Sequence, residues 1–161
     1  MTKPFYIIGF MGTGKSSLKQ YLAKSNHVID LDELFETLTG MDIPSYFDRY
    51  GETAFRLEES RLLRNARADY VVTGGGIVER EANVDWMRAK GVIIALDLAF
   101  ETCWERIKDS DRPLVRNGKA AVHALYERRR PLYARADHVL DSSLSTEAIA
   151  HILEQLKEEE G

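Results

Sequence analysis

Short apolar runs alternate along the chain with stretches in which apolar residues recur every three or four positions. The strand-like runs are Phe5–Ile8, Val28–Leu31, Tyr70–Thr73, Val92–Leu96 and the weaker His138–Leu140. Runs this short, bounded by Gly or Asp, fit strands covered on both faces. Between them, Lys15–Lys24 sets Leu18, Tyr21 and Leu22 on one face, and Thr53–Ala68 carries Phe55, Leu62, Leu63 and Ala66. Phe100–Lys108 and Ala121–Arg130 are further helical stretches. Thr146–Lys157 spaces Ile149, Ile152, Leu153 and Leu156 as an amphipathic helix does, with Ser145 or Thr146 as N-cap and Glu147 in the first turn. Such alternation predicts an α/β fold: a central five-stranded parallel sheet with helices on both faces, one domain over residues 1–161. In sheets of this kind ligands bind at the carboxyl ends of the strands.

Composition narrows the class of ligand. The chain has 161 residues, 44% apolar and 30% charged, with a net charge of −4. A net negative chain has no general field for nucleic acid. Yet Arg and Lys recur through residues 106–135, while Glu158, Glu159 and Glu160 make an acidic tail. A local basic stretch in an acidic chain points to a small anionic ligand. The single cysteine, Cys103, reads as a buried helix residue in a reducing compartment. No apolar run has the length of a membrane span or a secretory leader. We expect a cytoplasmic protein with neither nucleic acid nor membrane as partner.

Gly9-Phe10-Met11-Gly12-Thr13-Gly14-Lys15-Ser16 carries the chemistry. It fits the phosphate-binding pattern G-x-x-x-x-G-K-[ST], with a strand running in and an amphipathic helix running out. Glycines allow a tight turn whose N–H groups converge on phosphate oxygens at a helix N-terminus. Lys15 supplies a compact charge for the β- and γ-phosphates, and Ser16 supplies a hydroxyl for Mg²⁺. The nucleotide-binding set is therefore Gly12, Thr13, Gly14, Lys15, Ser16 and Ser17.

A P-loop identifies a phosphoryl donor and leaves the acceptor open. Asp30 and Asp32 close the second strand-like run, where residues i and i+2 point the same way. One carboxylate then serves near a metal and the other accepts a proton; the alternative is a solvent-facing pair with Asp32 capping the next helix. Gly74-Gly75-Gly76 follows the third strand and permits close backbone approach to a ligand, or is a flexible turn. Arg56 and Glu59 stand at i, i+3, either as a surface ion pair or as an arginine held ready for an anionic group. Arg112, in Arg112-Pro113-Leu114, is placed to reach a transferring phosphate, the alternative being a basic surface loop. Arg128-Arg129-Arg130-Pro131 is a short cationic cluster whose proline is expected to end a helix. A guanine-reading Asn-Lys-x-Asp is missing from the sequence, which disfavours a GTPase. Gluconate or a nucleoside monophosphate remains open as acceptor at this point.

These motifs, in this order, resemble the shikimate kinases across roughly residues 5–155. The likeness rests on the P-loop, Asp30-x-Asp32, Gly51-Glu52-x-x-Phe55-Arg56-x-x-Glu59, Gly74-Gly75-Gly76, Arg112-Pro113-Leu114 and Arg129-x-Pro131-Leu132-Tyr133. It implies a P-loop kinase fold with a mobile lid near 109–125. It also implies transfer of the ATP γ-phosphate to the 3-hydroxyl of shikimate, with Mg²⁺ as cofactor, by a monomer. Under that resemblance Lys15, Asp32 and Arg112 are catalytic, and Ser16 and Asp30 serve the metal. Arg106 and Arg112 join the ATP site. Asp32, Phe47, Phe55, Arg56, Gly74, Gly75, Gly76 and Arg129 bind shikimate, with Arg56 and Arg129 on its carboxylate.

Overall fold

A computed structural model describes residues 3–160. Strands β1 (Phe5–Gly9), β2 (Val28–Asp30), β3 (Tyr70–Val72), β4 (Val92–Asp97) and β5 (His138–Asp141) form one sheet in the order β2-β3-β1-β4-β5. All four pairings are parallel. Alternation along the strands decides what each face meets. Tyr6 and Ile8 enter one core cluster while Phe5 and Ile7 enter the other. The second cluster is closed by Leu18 and Leu22 of α1 (Lys15–Leu22) and by Ile149, Ala150 and Leu153 of α7 (Thr146–Glu160). The first is covered by α2 (Leu31–Thr39), α3 (Ile43–Asn65), α4 (Glu81–Lys90), α5 (Phe100–Ile107) and α6 (Lys119–Tyr133). Seven α-helices are present among the described residues. None of them is long and apolar enough to cross a membrane.

The five predicted strands are all present, and three helical stretches escaped the periodicity. Helix α2 starts directly after β2, so Asp32 lies in its first turn and not on the strand. The expectation that both aspartates close a strand is corrected accordingly. Asp30 is the N-cap: its Oδ1 accepts from Asp32 N at 2.9 Å and Glu33 N at 3.2 Å. The alternative role of Asp32 as cap is thereby excluded. Helix α3 begins ten residues before the predicted Thr53, at Ile43, and is broken at Gly51, where φ is +86°. A glycine accepts that conformation without a side-chain clash. It splits the periodicity into two short segments, of which only the second showed in the pattern. Helix α4 buries Asn83 beside Val84 and Met87, so its inward face is not a continuous apolar stripe.

Pro131 does not end a helix. Helix α6 runs through it to Tyr133, with Ala134 N still bonded to Arg130 O at 3.1 Å. The proline forfeits one backbone bond, while the final turn delivers the buried Tyr133, whose hydroxyl donates to Gly75 O at 2.6 Å. Ser145 caps α7, its Oγ accepting from Ala148 N at 3.1 Å. Cys103 is buried in α5 as expected. His123, Glu127, His151 and Glu154 are exposed helix residues, and no metal-binding cluster of three His, Cys, Asp or Glu occurs among the described residues.

Candidate active site

Register brings the site together. Asp30 pairs with Val72, and Val72 pairs with Ile7, so β2 and β3 end level and β1 runs two residues further, to Gly9. The loop after β1, the cap after β2 and the glycine run after β3 therefore open onto one edge. Thr73 ties two of them, donating through both N and Oγ1 to Ile7 O at 3.1 and 2.9 Å. This is the edge where the sheet's connections diverge on either side of β1, the expected place for a ligand.

Two adjoining cavities occupy it. The first, about 440 Å³, is lined by the P-loop from Met11 to Leu18, by Asp30 and Asp32, and by Arg106 and Arg112. Leu144, Thr146 and Ile149 also line it, of which Thr146 and Ile149 were read only as residues of an amphipathic helix. The second, about 300 Å³, is lined by Phe47, Phe55, Arg56, Glu59, Gly76 and Arg129, among others. Met11, Asp32, Gly74, Gly75 and Arg112 line both. One arm is therefore shaped for phosphates and the other for a small partner, with Asp32 and Arg112 at the junction.

In the first cavity, Gly9, Gly12 and Gly14 all take positive φ, turning the loop's N–H groups toward one centre. Thr13 is buried, and its Oγ1 donates to Phe10 O at 2.9 Å. Its side chain braces the loop, so its contribution to a nucleotide comes from the backbone. Lys15 Nζ folds back onto Gly9 O. Burial pushes the Lys15 ammonium down to about 8, and Arg112 and Arg129 add to that while Asp32 opposes it. A cation held at that cost gains most when polyanionic phosphate arrives. Arg106 Nη1 donates to Gly12 O at 2.9 Å, which fixes the arginine over the loop. Ser142 Oγ donates to Thr13 O, so the segment after β5 also leans on the P-loop.

The second cavity is built on charge. Arg56 Nη1 donates to Glu59 Oε1 at 3.1 Å, and Arg56 lies 5.0 Å from the Phe55 ring centre. Phe55 and Phe47 pack with ring centroids 5.0 Å apart, giving the cavity an apolar wall. Glu59 is 3% exposed, and its Oε2 has no hydrogen-bond partner. A Cβ at Gly74 would stand 2.8 Å from that oxygen and 3.1 Å from Asp32 Oδ1. A Cβ at Gly76 would fall on the Arg56 guanidinium. These glycines are the space that the carboxylates and the arginine occupy. Burial, with the charges of Glu59 and Asp30, pushes the Asp32 carboxyl up to about 7. Arg129 is 1% exposed and turns into the same cavity. Glu79, which bonds Arg129 Nε at 2.9 Å, was missed in the sequence because the two lie 50 positions apart.

A family model described as shikimate kinase matches residues 11–157. A shikimate kinase of Thermodesulfovibrio yellowstonii is 37% identical over 157 residues, spanning 92% of this chain and 91% of the relative. The chain belongs to the shikimate kinase family. Among solved structures, shikimate kinase from Acinetobacter baumannii in complex with shikimate superposes with a TM-score of 0.88 at 28% identity, covering 97% of this chain and 93% of that one. A gluconokinase from Sinorhizobium meliloti gives a TM-score of 0.55 at 16% identity over 98% and 95%, a likeness of fold alone. The sequence expectations of a P-loop kinase fold and of this family are borne out.

Proposed function

We propose that the protein transfers the γ-phosphoryl group of ATP to the 3-hydroxyl of shikimate, giving shikimate 3-phosphate and ADP. The observation that carries this assignment is the pair of cavities meeting at Asp32, Gly74, Gly75 and Arg112. ATP takes the P-loop cavity, its phosphates on the loop's N–H groups and on Lys15. Shikimate takes the second, its carboxylate between Arg56 and Arg129 and its ring against Phe47 and Phe55. Two guanidiniums read a carboxylate by direction as well as charge.

The transfer forms a bond from the acceptor oxygen to the γ-phosphorus and breaks the bond from that phosphorus to the β,γ-bridging oxygen. Asp32, whose carboxyl is held near neutrality by burial and by Glu59, takes the proton from the hydroxyl. Lys15 and Arg112 stabilise charge on the transferring group from the two sides of the junction. Gly74 and Gly75 keep the acceptor close to the donor by leaving no side chain between them. The oxygen-only donors around the phosphate end suit Mg²⁺: Ser16 and Asp30 line the cavity, and Asp30 spends only its Oδ1 on the helix cap. Bound there, Mg²⁺ would supply positive charge to the β- and γ-phosphates.

The segment from Lys108 to Gly118, which holds Arg112 and a 3₁₀ turn at Pro113–Asn117, acts as the lid. Residues 119–125, expected in the lid, are the first turns of α6 and serve as its hinge-side support. One chain lines both cavities, so a monomer suffices, and a cytoplasmic setting supplies both substrates. A coupled ADP-release assay across acceptors tests the assignment. Saturable release with shikimate and none with gluconate or nucleotides is expected. A folded, ATP-binding protein that releases no ADP with shikimate would sink it.

A further inference from the structure

Arg129 is the largest fully buried side chain among the described residues. A guanidinium withdrawn from water needs fixed acceptors, because a buried unpaired charge is strongly unfavourable. Arg56, the other arginine of the cavity, has its partner on its own helix: Glu59, one turn away. Arg129 has no such neighbour on α6. Its Nε instead donates to Glu79 Oε2 at 2.9 Å, and the exposed Arg128 bonds the same oxygen from outside.

The position of Glu79 in the backbone gives this bond a consequence. Glu79 ends the 3₁₀ turn Ile77–Glu79 that grows directly from the glycine run. Ile77 N bonds Gly74 O at 3.2 Å and Glu79 N bonds Gly76 O at 3.1 Å. The turn that carries Glu79 is thus pinned to the glycine run, which forms the cavity floor. Across that floor, a Cβ at Gly75 would stand 3.4 Å from Arg129 Nη1, and Gly75 O accepts from Tyr133 at 2.6 Å. With Nε engaged by Glu79, the guanidinium plane is set and its terminal nitrogens are left for the cavity.

We propose that Glu79 is a positioning residue for acceptor binding, aiming Arg129 at the substrate carboxylate through a charge-assisted bond to Nε. This rests on the assignment of Arg129 to that carboxylate. Glu79 is 24% exposed and its carboxyl sits below its ordinary value, because the bonds to Arg128 and Arg129 outweigh burial. It is therefore an anion at neutral pH and a proper partner for the arginine. Arg128, at 65% exposure, neutralises the outer side and touches nothing in the cavity.

Steady-state kinetics on the full chain test this. Glu79→Ala is expected to raise the KM for shikimate about tenfold, with the KM for ATP unchanged and kcat within about threefold. Glu79→Gln retains an acceptor oxygen and is expected to restore most of the loss. Arg128→Ala is expected to change neither KM by more than about twofold. In the double variant Glu79→Ala/Arg129→Ala, the KM for shikimate should match that of Arg129→Ala alone. If Arg129→Ala leaves that KM unchanged, the carboxylate assignment fails. If Arg129→Ala raises it and Glu79→Ala does not, or both KM values rise together, only the role of Glu79 is overturned. Should Glu79→Ala not fold, Glu79→Met keeps the volume without the acceptor and carries the same expectation. Loss of fold in both makes Glu79 a structural residue and also overturns the proposal.

Discussion

The donor and acceptor halves of the site are built on different principles. The phosphate cradle at the centre of the donor half is one uninterrupted piece of chain, Gly9 to Ser16, and works mainly through its backbone. The acceptor half draws side chains from α2, α3, the segment before α6 and α6 itself, around a glycine run that leaves them room. Backbone N–H groups belong to every residue type except proline, so the phosphate cradle requires mainly conformation and one lysine. Side-chain charges have to be placed, paired and kept dry, so the acceptor half requires a partner for each charge. The donor half should therefore be sensitive in rate, and the acceptor half in affinity for one substrate.

The largest effect is expected at the one side chain on which the donor half depends. Lys15→Ala should lower kcat by about 10³-fold, since it removes a preorganised charge from the transferring group. Its fold should survive, because burial already works against the Lys15 charge in the ligand-free protein. Circular dichroism alongside kinetics checks both parts. A variant that loses its fold would show that Lys15 is structural and would blur the contrast between the halves.

On the acceptor side, Arg129→Ala should raise the KM for shikimate on the order of 10²-fold and leave that for ATP nearly unchanged. Equal changes in the two would show that the halves are not separable. A smaller, purely steric break is available at Gly76, where an added Cβ lands on the Arg56 guanidinium. Gly76→Ala should raise the shikimate KM about tenfold while sparing ATP, because Arg56 has to swing off its bond to Glu59. Wild-type kinetics in that variant would mean that Arg56 does not hold the acceptor as placed.

What could be read from the sequence divides along the same line. The P-loop was legible because its chemistry is contiguous and flanked by a strand and a helix. Arg56 with Glu59 was legible as a spacing, since one helical turn brings the two together. Arg129 with Glu79 was not, because only the packing of α6 beside the turn after β3 makes them neighbours. The same limit explains Asp32. It lines both cavities from the first turn of α2 and not, as the strand alternation suggested, from the end of β2. Helix α2 starts without any break after β2, so nothing in the apolar pattern marks the change of period. Ile149 was read as core for a simpler reason: an apolar helix residue that lines a cavity carries the same periodic signal as one that packs.

The smallest effect concerns stability and follows from crowding of charge at the junction. Asp32, Glu59 and Asp30 are all pushed up from their ordinary values, burial being the first cause in each. In the unfolded chain these groups lose their protons near pH 4. Folded Asp32 holds its proton until about pH 7. Between those values the native state binds more protons than the unfolded one, so stability falls as pH rises. The contribution is fully present below about pH 4 and lost above about pH 7. Lys15 acts in a different window: its lowered value makes stability rise with pH only above about 8. Without ligand or metal, Asp32→Asn should therefore be more stable than the parent at pH 7.5, by about 1–2 kcal/mol after allowance for its attraction to Lys15 and Arg56. The gain should shrink toward zero near pH 4.5, while activity is lost at every pH. Denaturant unfolding at the two pH values measures it. A variant less stable than the parent, or a gain indifferent to pH, would mean that the acceptor half holds its charges in balance without help from substrate.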